Sequence, residues 1–150
     1  MNLEGKITLN AEPARVWDVL LDIDQFSACL PGVDEVMRID DSTFDGTITA
    51  SVGPMSGKFS FRAHIVESNP PHEMVAHVDG TDSVTKSAMK MAVTMGLTEV
   101  IPRQTEMVYR SSVDIKGRLA ILGDVVLRAT AALMMDEFTR RLRRQVEGGN

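Results

Sequence analysis

A chain of 150 residues, 43% hydrophobic and 25% charged, has the size and balance of one globular domain built around one core. Its net charge of −5 excludes nucleic acid as the main partner, because phosphate binding rests on a broad face of clustered cations. The single cysteine, Cys29, excludes an intramolecular disulfide framework and a cysteine-built metal site.

The opening Met1-Asn2-Leu3-Glu4-Gly5-Lys6 is not a signal peptide, and no run reaches about 18 uninterrupted apolar residues. A soluble, cytoplasmic chain is expected. Without an internal repeat or a linker-like stretch, residues 1–150 read as a single domain. From Asn2 to Asn10 the chain alternates, Leu3, Gly5, Ile7 and Leu9 against Asn2, Glu4, Lys6 and Thr8, which predicts a half-buried strand. Asn10-Ala11-Glu12-Pro13 is a helix start with a capping-type side chain and an early proline, and Val16, Trp17, Leu20 and Leu21 follow at helical spacing. A second short helix, from about Asp24 to Cys29, stops at Leu30-Pro31-Gly32.

From Val33 to Lys116 the period changes to two. Phe44, Gly46, Ile48, Ala50 and Val52 share a face, and after a break at Gly53-Pro54 so do Phe59, Phe61, Ala63 and Ile65. Beyond the turn at Asn69-Pro70-Pro71 come Met74, Ala76 and Val78. Met89, Met91, Val93, Met95 and Leu97 follow, and past Pro102 Met107, Tyr109, Ser111, Val113 and Ile115. Val33 to Ile39 is a weaker strand of the same kind. Short loops make all these strands antiparallel neighbours, about seven with the first.

Arg118 to Val146 reads as one long helix, roughly 40 Å at ~1.5 Å per residue. Leu119, Leu122, Val126, Ala129 and Leu133 form one apolar stripe and Leu127, Ala131, Met134, Phe138 and Leu142 another, so most of its girth is expected to be covered. The fold class is therefore α+β: a seven-stranded antiparallel sheet wrapped around a long C-terminal helix, with two short helices after the first strand.

In this register the apolar face of every strand looks at the helix. Ten Met against five Phe and one Tyr suit a pocket for a flexible apolar guest better than a rigid core. The candidate wall is Phe61, Met89, Met91, Met95, Met107, Tyr109, Leu122, Val126 and Met134. Tyr109, a buried phenol in need of a partner, is the candidate hydrogen-bond donor to a carbonyl oxygen. His64, His72 and His77 fall on the outer face or in a turn. No carboxylate pair, Ser-His-Asp set or metal-binding cluster assembles inside, so no catalytic or metal residue is named. Cys29 reads as an inert buried thiol, Lys86 and Lys90 as solvated, and Asp18, Asp22, Asp24, Asp34 and Glu35 as a solvated acidic zone. Asp136 and Glu137 form a polar stripe, pairing with Arg140 or Arg141. Arg140, Arg141, Arg143 and Arg144 complement the negative helix end, and are the candidates for touching a partner or anionic lipid headgroups.

The residues also resemble a known family. Met1-Asn2-Leu3-Glu4-Gly5, Pro13 with Val16-Trp17-Asp18-Val19-Leu20, Ala28-Cys29-Leu30-Pro31-Gly32-Val33, Val52-Gly53-Pro54, Asn69-Pro70-Pro71, Gly117-Arg118-Leu119-Ala120, Leu122-Gly123 and Asp136-Glu137-Phe138 are similar to the CoxG-like family associated with carbon monoxide dehydrogenase, within the START-like (SRPBCC) helix-grip superfamily. The resemblance spans nearly the whole chain. It implies a non-catalytic accessory protein of a molybdenum-containing CO dehydrogenase-type oxidoreductase, linked to the inner face of the membrane as a peripheral contact. A quinone such as menaquinone is the implied cavity ligand, with no other cofactor. Some members carry a C-terminal extension that reaches the membrane or a partner; this chain ends in Glu147-Gly148-Gly149-Asn150, and independent anchoring is not expected of it. Beside the carrier stand two other readings. One is a small cyclase- or hydrolase-type enzyme, which requires a one-residue register shift bringing His64, His77 or Lys90 inward. The other is an interaction module with a filled core.

Overall fold

A computed structural model describes residues 1–148; the expectation drawn from the end of the chain falls partly on Gly149 and Asn150, outside the described residues. The elements run β1 (Asn2–Leu9), α1 (Pro13–Leu21), α2 (Ile23–Cys29), β2 (Val33–Asp40), β3 (Thr43–Val52), β4 (Met55–Asn69), β5 (Glu73–Asp82), β6 (Ser87–Ile101) and β7 (Gln104–Lys116), then a 3-10 turn (Arg118–Leu122) and α3 (Gly123–Glu147). All seven strands form one antiparallel sheet in the order β1-β7-β6-β5-β4-β3-β2. The hydrophobic alternation sets the register, because a one-residue slip would turn every apolar side chain to water. His64, His72 and His77 are exposed, as the alternation requires.

Both short helices pack at one end of the sheet. Pro13 opens α1, but its cap is Glu12, which makes no side-chain capping bond. Asn10 instead donates to Glu147 and accepts from Gln104, both at 3.2 Å, so the capping role expected of it is corrected to a tie between β1, β7 and α3. The cap of α2 is Asp22, whose Oδ1 accepts from the N–H groups of Asp24 and Gln25 at 3.0 Å each. Those two bonds, chiefly the one from Gln25, hold its carboxyl below the usual range.

Two further expectations are corrected. The long helix does not begin at Arg118: the chain makes a 3-10 turn to Leu122, and α3 starts at Gly123, whose φ of 83° lies outside helical space. Nor is most of its girth covered. Ile121 and Val125 are 83% exposed and Leu133 72%, which leaves a single buried stripe running through Leu127, Ala131, Met134, Phe138 and Leu142. The second stripe fails past Val126 because the sheet is open on one side and nothing lies over it.

Candidate functional site

Four rows of paired residues cross the concave face of the sheet. Gly5, Tyr109, Met95 and Met74 make the first; Leu3, Ser111, Val93 and Ala76 the second; Val113, Met91, Val78 and Ala63 the third; Ile115, Met89, Gly80 and Phe61 the fourth. The core under them is split. At one end Ile7, Leu9, Val16, Trp17, Val19, Cys29, Met95, Leu97, Met107, Leu142 and Val146 form a packed cluster. At the other, Val52, Phe59 and Leu119 form a smaller one, joined by Leu122 and Val126. α3 bridges the two, coming closest to the sheet at β1 and β3 and standing off from the strands between them.

The candidate wall divides accordingly. Met95 and Met107 are buried in the first cluster and Tyr109 packs against it; Leu122 and Val126 pack against the second. Phe61, Met89, Met91 and Met134 belong to neither. They are half-buried, as are their inward-facing neighbours Ala63, Ala76, Val78 and Val93. In a filled core such side chains would be fully covered, since protein interiors pack to crystal density. Half-buried apolar groups facing a helix mark a hollow between sheet and helix.

Polar groups in this hollow are few. The Ser111 hydroxyl donates to the Leu3 carbonyl at 3.4 Å and that of Thr130 to the Val126 carbonyl at 3.0 Å. Tyr109 reaches across Gly5: an added Cβ there would collide with its hydroxyl. Burial, and after it the negative charge of Asp136, push this phenol above its ordinary value, so it remains a protonated donor at neutral pH.

Arg38 is the residue that the alternation missed. Irregularities between Val33 and Glu35 and between Arg38 and Asp40 turn Met37 and Ile39 outward to water and bring Arg38 level with Phe44 on the concave side. Its guanidinium lies 5.2 Å from the Phe44 ring centre and donates to the Leu21 carbonyl at 3.3 Å. Neither irregularity has a sequence marker such as glycine inside the strand. Cys29 is fully buried, and burial raises its thiol pKa against the opposing pull of Arg141, which leaves an inert thiol. Among the described residues no group of His, Cys, Asp or Glu is arranged to hold a metal.

A separate recess of about 510 Å³ opens on the other face of the sheet, over Asp45–Thr47, Ser60–Arg62 and Asp79–Thr81, with Glu35 and Met37 on its rim. There Arg62 grips Asp45 with two bonds of 2.7 Å. The arginines at the end of α3 are mostly engaged within the chain. Arg140 and Arg141 both bind Glu137, Arg141 through a 2.9 Å bond, and Arg143 donates to the Thr8 carbonyl at 3.3 Å. Arg144 lines a recess of about 340 Å³ with Ala28, Glu137, Arg141 and Gln145.

The profile of CoxG, the G-type component of carbon monoxide dehydrogenase, matches residues 5–147. The chain belongs to the CoxG family. No curated protein matches it in sequence, but many solved structures share its shape. A conserved protein from Geobacillus kaustophilus superposes with a TM-score of 0.92 at 20% identity, over 99% of this chain and 96% of that one. A START superfamily protein from Mycobacterium smegmatis gives 0.74 at 11%, over 99% of both, and the Zhui aromatase/cyclase from a Streptomyces species 0.67 at 13%, over 97% and 95%. This CoxG chain thus has the START-like fold, with the expected seven-stranded sheet and long C-terminal helix. Among its described residues, no helix is long and apolar enough to cross a membrane.

Proposed function

We propose that the chain is a non-catalytic carrier that holds a hydrophobic small molecule, a quinone or a lipid-like compound, between its sheet and α3. The observation that carries this reading is the divided core: Phe61, Met89, Met91 and Met134 look at the helix yet remain half-buried between two packed clusters. Methionine walls adapt to a guest without demanding one shape. Family membership supports the setting, accessory work for a CO dehydrogenase-type molybdenum oxidoreductase. The exposed cations Arg140, Arg143 and Arg144 at the end of α3 are our choice for its contact with that partner or with the inner membrane face. The Zhui aromatase/cyclase shares this fold, so the fold by itself does not forbid catalysis. Here, however, His64, His77 and Lys90 all point to water, which favours carriage over chemistry.

The test is extraction of the purified chain with organic solvent followed by mass spectrometry, together with thermal unfolding in the presence of added long-chain quinones. A stoichiometric apolar compound or a saturable rise in Tm is expected. A chain that yields no compound, and whose Tm no quinone or neutral lipid moves, is not a carrier.

A further inference from the structure

α3 runs beside the free edge of β1 and is fastened to it at two points. Arg128 donates to the Asn2 carbonyl at 3.0 Å, and Arg143 to the Thr8 carbonyl at 3.3 Å. Between these fastenings lie Gly5 on the strand and Asp136 on the helix. Gly5 has no side chain, and the Tyr109 hydroxyl occupies the space that a Cβ would take. The seam between β1 and α3 therefore presents one neutral donor, the phenol, with a carboxylate near enough to act on it electrostatically.

Other candidates for meeting a guest's polar end are committed. The Ser111 and Thr130 hydroxyls donate to backbone carbonyls. Lys90, His64 and His77 are on the outer face. Arg38, the cation on the concave side, sits at the opposite edge of the sheet on β2. It is held there over Phe44 and by the Leu21 carbonyl, with Asp22 close by.

We infer that Asp136 sets the charge of what the hollow accepts: beside the Tyr109 hydroxyl it admits a guest whose polar end is an uncharged hydrogen-bond acceptor, such as a ketone or quinone carbonyl, and turns away a carboxylate or phosphate. Like charges in a low-dielectric site repel far more strongly than in water, whereas a neutral acceptor gains the phenol's hydrogen bond. Gly5 supplies the room in which the phenol stands, and Asp136 is the specificity residue. This inference rests on the carrier reading and adds a charge rule to it.

Two probes of equal chain length separate the ideas, a neutral 1,4-naphthoquinone with an alkyl tail and a saturated fatty acid, each titrated calorimetrically at pH 7.5. The wild-type chain binds the quinone at least tenfold tighter than the fatty acid. Asp136→Asn, a change on an exposed helix position, tightens the fatty acid severalfold and leaves the quinone within about twofold. Tyr109→Phe weakens the quinone by roughly three- to tenfold, the range for one neutral hydrogen bond, and leaves the fatty acid unchanged. Equal affinity of the wild type for the two probes, no gain of fatty acid on Asp136→Asn, or fatty-acid binding that disappears on Arg38→Ala overturns the charge rule while leaving the carrier standing. If neither probe binds any of the variants, both fall.

Discussion

At the scale of single residues, the most heavily committed side chain is Asp82. Buried at the end of β5, it accepts from the Lys58 and Val84 N–H groups at 3.2 and 2.9 Å and from the Thr85 hydroxyl at 3.0 Å. The Thr85 hydroxyl lies 2.9 Å from that of Ser87, which accepts from the Leu119 N–H at 3.1 Å. One carboxylate thereby fastens β4, the β5–β6 turn and the 3-10 turn together. Burial alone would raise its pKa, but the donors of Val84, Thr85 and Lys58 together outweigh burial and hold it below the ordinary value. A carboxyl depressed in the folded state adds stability above its unfolded pKa and loses it as the pH falls through the lowered folded value. Asp82→Asn, which sets an amide N–H₂ against donors, should therefore lower Tm by several degrees at pH 7. The gap between wild type and variant should close as the pH drops below about 4, where the unfolded carboxyl protonates. A gap that is the same at pH 7 and at pH 3 would show that the charge is irrelevant there. Leu142, fully buried where α3 meets β1 and α1, gives the apolar counterpart: Leu142→Ala should cost about 2–5 kcal/mol in chemical denaturation.

At the scale of elements, the strands were legible and the start of the last helix was not. Alternation over Phe59 to Ile65 or Met89 to Leu97 leaves little freedom, because only one register buries those side chains. Between Arg118 and Leu127, by contrast, apolar composition outweighed the two glycines, Gly117 and Gly123, that separate the 3-10 turn from its neighbours. Both have positive φ with extended ψ, 94° and −157° at Gly117 and 83° and 168° at Gly123, a region that only glycine visits readily. β2 misled for the opposite reason, since its irregularities carry no residue signal. The site was legible as a chemistry, apolar and rich in methionine, but not in its division, because periodicity tells which face a residue occupies and not how closely the helix approaches it. The glycines give a test internal to the element. An added Cβ at Gly123 meets nothing, whereas at Gly117 it would collide with the Lys86 carbonyl. Gly123→Ala should then lose only the backbone cost, about 1–3 kcal/mol, and Gly117→Ala clearly more. Equal losses in urea titrations would mean that the Lys86 loop yields without cost.

At the scale of the whole molecule, sheet and helix are held apart by the two clusters at their ends, and the middle is where a guest would add what the chain lacks. A ligand that binds only the folded state stabilises it by about 2.7 kcal/mol at a hundredfold excess over its Kd. For a domain of this size that corresponds to roughly 5–10 °C in Tm. Ala76 sits midway along the second inward row, between Ile65 and Val93, and is half-buried in the hollow. Ala76→Phe should place a ring in the space that a guest would use. In a filled core, overpacking of this kind costs about 1–3 kcal/mol; in a hollow the added ring has room and gains apolar contact instead. The variant is therefore expected to unfold at or above the temperature of the unliganded wild type and to lose the quinone-induced rise. Thermal unfolding with and without a long-chain quinone reads both quantities at once. A variant that melts well below the unliganded wild type would mean that the middle is already packed, and one that keeps the full ligand shift would place the guest elsewhere.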